Sequence, residues 1–471
     1  MRHLVSLGAA AANDAPPPDA PPPGARPPDA GPPDAGPPGA GPLAHLAPPS
    51  GADCASGPTT GAEADPAFLG AKAERLWRAL EAGLPVLPGW VVPARCARPA
   101  LRAGAAAIRA RGIAAGRRAV LGTELDGDLA AELAEAARLL GGRVIVRSSS
   151  PLEAESCWAG AFASVAEAGP DDIVTAVRSV WASAFAPDPL GRLAACGLTP
   201  EQVEMAVLVQ SEIRPDAGGT ARTDGGTART DGAGRGEAVI VHGVRGHPGP
   251  MLAGWADGAS AAARGDRCTG DLAALIGRDT VLATARLARA ALLATGADGI
   301  EWALADGDVW LLQAVGRDDS RDDSRAPGTS GIAGATGMAG AADADARRVP
   351  GNAAVEGIGT GRLLFRRPHD ALPPDAGDVV LLVDRPVPAL APLLFTSRTR
   401  AGAGVGAAVR GVISRGGPAG SHLAQVARSC GIPMVVGCPV AEPSGDGQLA
   451  TVNGFAGEVT LRPARRSEAR R

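Results

Sequence analysis

Aromatic residues, paired cysteines and long apolar runs are scarce or missing in this sequence. It has no tyrosine, and only 3% of its 471 residues are aromatic, which disfavours the stacking platforms that bind single-stranded nucleic acid. The seven cysteines are scattered without a C-x-x-C pair, which disfavours a disulfide framework or a zinc site and favours a reducing compartment. No apolar run approaches the roughly 18–20 residues that span a bilayer. We therefore expect a cytoplasmic protein with neither nucleic acid nor membrane as its partner.

Lysine is almost absent as well. The formal net charge is −4, and the 46 basic residues include a single lysine, Lys72. Arginine replaces lysine well as a solvated surface charge, but poorly where a compact, flexible ammonium group meets a phosphate. Lys72 is therefore either a phosphate ligand or a surviving surface charge, and composition alone leaves both open.

Low-complexity segments divide the chain. Proline, glycine and alanine with repeated PPDAG-type units predict a disordered arm over residues 1–65. Residues 218–236 contain a tandem copy of GGTARTD, which we interpret as a flexible insertion between two strands. Residues 318–350 are predicted to be a flexible linker with a reach of roughly 30 Å, and residues 464–471 a basic tail.

The two remaining segments, residues 66–317 and 351–463, each mix helical and strand patterns. The spacing of Leu76, Leu80 and Leu84 predicts a helix, and EWALADGDVWLLQAV predicts a hairpin around its ADGD turn. Neither segment shows a regular strand–helix–strand repeat. The pattern therefore predicts the α+β fold class, with two domains.

The most specific chemical signal lies in GVISRGGPAGSHLAQVARSCGIPMVVG, near the C-terminus. Gly416 and Gly417 follow a predicted strand. Ser421 has the position of a helix N-cap, and His422 is then the first helical residue. Free backbone N–H groups and the positive end of the helix dipole would stabilise a phosphoryl group on this imidazole. A surface histidine that merely follows a cap is the alternative.

This segment resembles the phosphohistidine (swivelling) domain of the PEP-utilising enzymes, a family that includes phosphoenolpyruvate synthase, pyruvate phosphate dikinase and rifampin phosphotransferase. The matching motifs are Gly416-Gly417, Ser421-His422, Ala427-Arg428, Gly431-Ile432-Pro433, Val435-Val436-Gly437, Asp446-Gly447-Gln448 and Val452 to Gly457. The family usually has alanine where this chain has Leu423. The resemblance covers residues 351–462. It implies that His422 is the catalytic phosphoryl carrier, with Ser421, Gly416 and Gly417 among the binding residues.

The segment 66–317 resembles the ATP-binding domain of the same family, which has an ATP-grasp-like fold. The matching pieces are Gly70-Ala71-Lys72, Val146-Arg147-Ser148-Ser149, the strand from Met205 to Gln210, Ile300-Glu301-Trp302-Ala303 and Leu312-Gln313. The resemblance implies that Lys72 and Arg147 bind ATP phosphates and that Gln210 lines the adenine pocket. It also implies that Glu301 and Gln313, which face each other across the hairpin, hold Mg²⁺ through oxygen atoms.

Each ATP-site residue also has a plainer interpretation. Lys72 would be a solvated helix charge, Arg147 would pair with Glu153 or Glu155 at the surface, and Glu301 would be an ordinary hairpin charge. Only convergence in three dimensions separates these interpretations from the functional ones.

We expect Lys72, Arg147, Glu301 and Gln313 to converge on one cleft. We expect His422 to lie at an exposed helix N-terminus in a separate domain. Scattering of the first four residues over unrelated faces would contradict the ATP-site hypothesis.

Some positions depart from the family pattern. Val315 stands where the family usually has an arginine, and Ala161 stands where it has a glutamine. The family's aGV-x-FT-x-DP and GLGE stretches have no convincing equivalent. Fewer phosphate-binding cations would slow phosphoryl transfer, so a slow or inactive relative stays open.

The sequence-based hypothesis is an ATP- and Mg²⁺-dependent phosphotransferase resembling phosphoenolpyruvate synthase. ATP would phosphorylate His422, and the group would pass to an acceptor such as pyruvate, bound elsewhere. The family's acceptor domain has no counterpart here, so the partner is an unidentified small molecule or an acceptor-domain protein. The alternatives are a rifampin-phosphotransferase-like small-molecule kinase and a catalytically weak, nucleotide-binding regulatory partner.

Overall fold

A computed structural model describes residues 4–7, 66–155, 158–223, 238–316, 346–373, 375–400, 408–443 and 448–463. Within these ranges the strands form three sheets, two in the N-terminal half and one in the C-terminal half. No helix in the same ranges is long and apolar enough to cross a membrane. Helices accompany all three sheets, so the predicted α+β class is confirmed.

The first sheet is antiparallel, with the strand order β1-β2-β5-β3-β4. Its strands are β1 (Val5–Leu7), β2 (Gly89–Val92), β3 (Val144–Ser149), β4 (Ser164–Ala168) and β5 (Ala206–Ser211). The accompanying helices are α1 (Pro66–Glu81), α2 (Ala94–Arg111), α3 (Ile113–Leu121), α4 (Gly127–Leu139), α5 (Ile173–Ser183) and α6 (Pro187–Ala195). A short 3₁₀ turn, Pro151–Ala154, follows β3.

The second sheet is also antiparallel, with the order β11-β10-β6-β7-β8-β9. Its strands are β6 (Ala217–Thr223), β7 (Val239–Arg245), β8 (Ala259–Arg264), β9 (Arg267–Thr269), β10 (Gly299–Ala305) and β11 (Asp308–Val315). Three helices belong to this part: α7 (Gly249–Leu252), α8 (Leu272–Ile276) and α9 (Arg278–Thr295). The hairpin predicted around the ADGD turn is confirmed as β10 and β11.

The third sheet has the order β12-β19-β18-β14-β15-β16-β17-β13. Its strands are β12 (Arg347–Pro350), β13 (Asn352–Val355), β14 (Ile358–Phe365), β15 (Asp378–Val383), β16 (Ala408–Ser414), β17 (Met434–Val436), β18 (Leu449–Asn453) and β19 (Glu458–Arg462). Strands β14 to β17 are parallel neighbours. Helix α10 (Ala391–Arg400) precedes β16, and α11 (His422–Ser429) follows it. The N-terminus of α11 therefore lies beyond the carboxyl end of a parallel strand, where ligands bind in open α/β sheets.

Three interpretations of the low-complexity segments need correction. Val5–Leu7, inside the predicted arm, forms β1, because its backbone pairs with β2 and Leu7 is buried. Residues 217–223, where the predicted insertion begins, form β6 between β10 and β7. Arg347–Pro350, inside the predicted linker, pairs with β19. The rest of the arm, the second GGTARTD copy, residues 318–345 and the tail lie outside the described residues.

Glycine explains why β6 is a central strand despite its polar composition. A Cβ at Gly219 would lie 2.0 Å from the carbonyl oxygen of His242 on β7. A Cβ at Gly218 would lie 2.8 Å from Pro248. The missing side chains let β6 approach its neighbours closely, and the two ladders satisfy its backbone groups on both sides.

The two halves of the chain pack against each other. One hydrophobic cluster is continuous from the first sheet and its helices into α10, α11 and the third sheet. Leu423, the residue that departs from the family pattern, belongs to this cluster and is 1% exposed.

Candidate active site

A cavity of about 220 Å³ lies between the two N-terminal sheets and α11. Its charged and polar lining includes Lys72, Arg147, Glu301, Gln313 and His422. The structure therefore brings together the four residues expected to converge, and it adds the histidine of the C-terminal half. The apolar part of the lining includes Leu87, Ile145, Trp158 and Phe162.

A glycine at a kink inside α1 brings Lys72 to the cavity. Gly70 has a φ of +71°, and a Cβ there would lie 2.0 Å from the carbonyl oxygen of Ser149 on β3. Only glycine combines this left-handed backbone with so close an approach. Lys72 is consequently buried, with Nζ 2.5 Å from the Glu153 carboxylate and 3.2 Å from the Ser148 hydroxyl. The alternative of a solvated helix charge does not hold, because Lys72 is 9% exposed.

Arg147 reaches from β3 of the first sheet to the β10–β11 hairpin of the second. Its guanidinium donates to the carbonyl oxygen of Leu312 at 2.5 Å and to Oε1 of Gln313 at 2.8 Å. It also lies 3.4 Å from the carboxylate of Glu301. The alternative of a surface pair with Glu153 or Glu155 does not hold, because these buried contacts make Arg147 a link between two sheets at the cavity.

Glu301 and Gln313 are direct cross-strand partners in the hairpin, as the sequence predicted. A register irregularity follows Glu301, and such bulges re-aim side chains at the edges of sites. Burial by itself would raise the pKa of Glu301. The interaction with His422 and the charges of Arg147, His422 and Lys72 outweigh burial and lower this pKa to about 2. Glu301 is therefore ionised at neutral pH.

His422 is the first residue of α11, and Ser421 is its N-cap, with a side-chain oxygen that accepts from the backbone N–H of Ala424. The imidazole Nε2 lies 3.6 Å from a carboxylate oxygen of Glu301. The expectation of an exposed histidine needs correction, since the side chain is 20% exposed and faces the N-terminal half. This placement juxtaposes the candidate phosphoryl carrier with the candidate ATP site.

The other predicted binding residues have different positions. Gln210 is buried on β5, lines the cavity and donates its amide to the carbonyl oxygen of Leu87 at 3.0 Å. Gly416, Gly417 and Ser421 do not line the cavity. Ser421 is the helix cap, and the two glycines lie in the loop before it, so these three residues shape the carrier loop instead.

A second contact between the halves surrounds this loop. The backbone N–H of Gly417 donates to the Asp257 carboxylate at 2.9 Å, and Arg385 lies 3.2 Å from the same carboxylate. A Cβ at Gly420 would lie 2.7 Å from the hydroxyl oxygen of Thr220 and 3.3 Å from His242. Burial and the charge of Arg428 lower the pKa of His242 to about 4, so this interface histidine is neutral at pH 7.

Sequence reasoning missed three residues of the site. Glu153 pairs with Lys72, and its S-x-x-E spacing from Ser150 is a capping-box pattern that the sequence does display. Gly160 lies against the His422 ring, and a Cβ there would lie 2.5 Å from Nδ1. Gln425 lines the cavity one helical turn after His422. No local sequence pattern indicates a role for Gly160 or Gln425, because their contacts form only when the two halves of the chain pack together.

Replacing Lys72 with methionine tests the buried ion pair. The Glu153 carboxylate would stay buried without its cation, and we expect the free energy of unfolding to fall by roughly 3 kcal/mol. Denaturant unfolding followed by tryptophan fluorescence measures this change. The double variant Lys72→Met/Glu153→Leu should recover much of the loss, because it leaves no unpaired charge. Full stability of the single variant would contradict the pairing.

Comparisons with known proteins identify two regions. The family model described as pyruvate phosphate dikinase, AMP/ATP-binding domain, matches residues 67–249. The model described as PEP-utilising enzyme, mobile domain, matches residues 394–457. Lys72, Arg147 and Gln210 lie within the first match and His422 lies within the second. No curated protein matches the chain.

One solved structure, the holo form of Thermococcus kodakaraensis aconitase X, aligns over 25% of this chain and 99% of that chain. The identity is 17% and the TM-score is 0.20, a likeness too small to carry any argument. The two domain matches confirm the resemblance inferred from the sequence motifs. One region of the chain matches an AMP/ATP-binding domain and another matches a mobile domain, and both are domains of PEP-utilising enzymes.

Proposed function

We propose that this protein is an ATP-dependent phosphotransferase in which His422 takes a phosphoryl group from ATP bound in the cavity and carries it to a separate acceptor. One observation carries the proposal: the imidazole Nε2 lies 3.6 Å from Glu301, inside a cavity that Lys72 and Arg147 also line. The AMP/ATP-binding domain match supports ATP as the donor. An ATP-grasp-like arrangement of the two antiparallel N-terminal sheets, with ATP between them, belongs to the same proposal.

The phosphate groups of ATP would lie between Lys72 and Arg147. Their present partners, Glu153 for Lys72 and Glu301 with Gln313 for Arg147, hold both cations at the cavity wall. Binding of a polyphosphate would exchange these contacts for charge-assisted hydrogen bonds to phosphate oxygens. The two cations would then stabilise the charge on the transferred group.

Glu301 and Gln313 suit a magnesium ion chemically. Glu301 is ionised, and the Gln313 amide oxygen faces it across the hairpin, so a carboxylate and a carbonyl oxygen point to one place. When bound, a magnesium ion held by these two side chains would supply positive charge that neutralises part of the charge of the phosphate groups. The described residues contain no group of three or more histidine, cysteine, aspartate or glutamate side chains that could hold a metal ion. In this proposal the metal ion arrives together with its nucleotide.

The transfer itself is an in-line displacement. The Nε2 lone pair of His422 forms the new N–P bond while the P–O bond to the nucleotide breaks, and the electron pair stays on the departing phosphate oxygen. The proton of Nδ1 passes to water. Helix α11 would have to withdraw for the nucleotide to enter, because small-molecule sites typically measure about 300–1,000 Å³ and the closed cavity is smaller.

The acceptor would be bound outside this cavity or by another polypeptide. Pyruvate is the acceptor suggested by the resemblance to phosphoenolpyruvate synthase, and a small molecule of another kind is the rifampin-phosphotransferase-like alternative. The regulatory alternative has one structural observation in its favour: Val315 gives the cavity an apolar residue where the family usually has an arginine.

The test is incubation of the purified chain with Mg²⁺ and ATP labelled at either the β- or the γ-phosphate. We expect acid-labile, base-stable label on the wild type and none on His422→Ala. His369→Asn, which removes an exposed histidine outside the cavity and retains a residue tolerant of its positive φ, serves as the matched control. Unlabelled wild type that still binds ATP would refute the carrier role and favour the regulatory alternative.

A further inference from the structure

Gln425 is the second side chain that α11 presents to the cavity. It follows His422 by three positions, and residues at this spacing lie on one face of a helix. The side chain lines the same cavity as His422 and is 8% exposed. Helix α11 therefore contributes two side chains to the proposed ATP site, the imidazole of His422 and the amide of Gln425.

The Gln425 amide has no hydrogen-bond partner among the described residues, and its atoms are not fully enclosed by protein. Gln210, which also lines the cavity, shows the usual outcome, because its buried amide donates to the Leu87 carbonyl. A ligand in the cavity that accepts a hydrogen bond would give the Gln425 amide a partner.

The backbone at the start of α11 leaves few donors for such a ligand. The N–H of Ala424 donates to the Ser421 hydroxyl at 3.3 Å, and the N–H of Gln425 donates to the Ser421 carbonyl at 3.1 Å. Only the first N–H groups of the helix stay available. A phosphoryl group on His422 has three oxygens, so a side-chain donor on the same helix face would complete its binding.

We propose that Gln425 donates its side-chain N–H to an oxygen of the phosphoryl group as it passes from ATP to Nε2 of His422. The amide is part of the same helix and so stays with the phosphohistidine when the carrier withdraws. The same contact would then stabilise the phosphorylated carrier. This inference rests on the function proposed above and adds a phosphoryl-binding residue to it.

Two replacements separate hydrogen-bond donation from packing. Gln425→Leu removes the polar group at similar size, and Gln425→Glu keeps the shape but replaces the donor with a carboxylate that repels phosphate. The rate of label transfer from ATP to His422 should fall about ten- to hundredfold in both variants, the usual loss for one such donor. After removal of nucleotide, the label on both variants should also hydrolyse faster.

The melting temperature separates the two roles, because it would fall in the variants if Gln425 served mainly to pack the structure. Gln425→Leu should melt no lower than the wild type, because it replaces an amide that has no hydrogen-bond partner among the described residues. Wild-type transfer rates in both variants would overturn the inference. Slow transfer in a destabilised leucine variant, beside normal transfer in the glutamate variant, would also overturn it, since it shows a packing role. Absence of label on the wild type would instead refute the function on which the inference rests.

Discussion

The variant Gly160→Ala is expected to keep His422 out of the cavity and to slow the phosphorylation of His422 at least about a hundredfold. The added Cβ would lie 2.5 Å from Nδ1 and 2.9 Å from Cγ of the ring, too close for any packed pair. The imidazole would have to move by about 1 Å, and displacement of a reacting group on that scale costs on the order of a hundredfold in rate.

Transfer of label from ATP to His422 measures this loss, and equilibrium binding of ATP should be nearly unchanged. The substitution also strains the backbone, since Gly160 has a φ of +64°. Gly197→Ala is the matched control, with a φ of +69° and no atom within 4 Å of its Cβ. It carries the same backbone strain, about 1–2 kcal/mol, without a clash. Equal activity of the two variants would show that His422 does not dock against Gly160 during transfer.

The variant Glu301→Gln is expected to slow phosphorylation of His422 by about a hundredfold. It removes the negative charge that faces both the imidazole and Arg147. It should also change the acid response of the protein. The pKa of Glu301 falls from an ordinary value of 4.5 to about 2 in the folded chain. The carboxylate therefore contributes its full stability above about pH 4.5, and this contribution is lost as the pH falls toward 2.

The contribution at neutral pH is roughly 3 kcal/mol, from about 1.4 kcal/mol for each unit of pKa difference. Acid titration followed by tryptophan fluorescence should therefore show a weaker loss of stability below pH 4.5 in Glu301→Gln than in the wild type. Glu204→Gln is the control, because Glu204 pairs with Arg98 at 3.0 Å on the surface and does not line the cavity. Identical acid profiles for wild type and Glu301→Gln would contradict the lowered pKa.

Local patterns predicted several elements of the site. The turn residues at 305–308 predicted the hairpin, and the hairpin alone places Glu301 opposite Gln313. The Ser421 cap predicted the start of α11 and with it the position of His422. These features depend on contacts between residues close in sequence, which propensities and capping rules describe.

Amino-acid composition gave the wrong prediction for two strands, because backbone pairing with distant strands decided their structure. The first GGTARTD copy lacks an apolar core pattern, yet its pairing with β7 and β10 makes it a central strand. The three residues of β1 lie far from β2 in the sequence and join it only through the folded sheet. Pairing between distant strands does not require an alternating hydrophobic pattern within the strand. Its glycine and polar residues therefore predict a loop when they are judged from the sequence alone.

The sequence by itself determined the resemblance to PEP-utilising enzymes and the candidate site residues His422, Lys72 and Arg147, because each of them lies in a short motif. Tertiary structure decided how these residues meet. It buried the single lysine against Glu153, turned Arg147 toward a hairpin more than 150 positions away, and placed Gly160 and Gln425 around His422. The physical reason is that burial and charge pairing depend on neighbours in space, and those neighbours come from different sheets and from both halves of the chain.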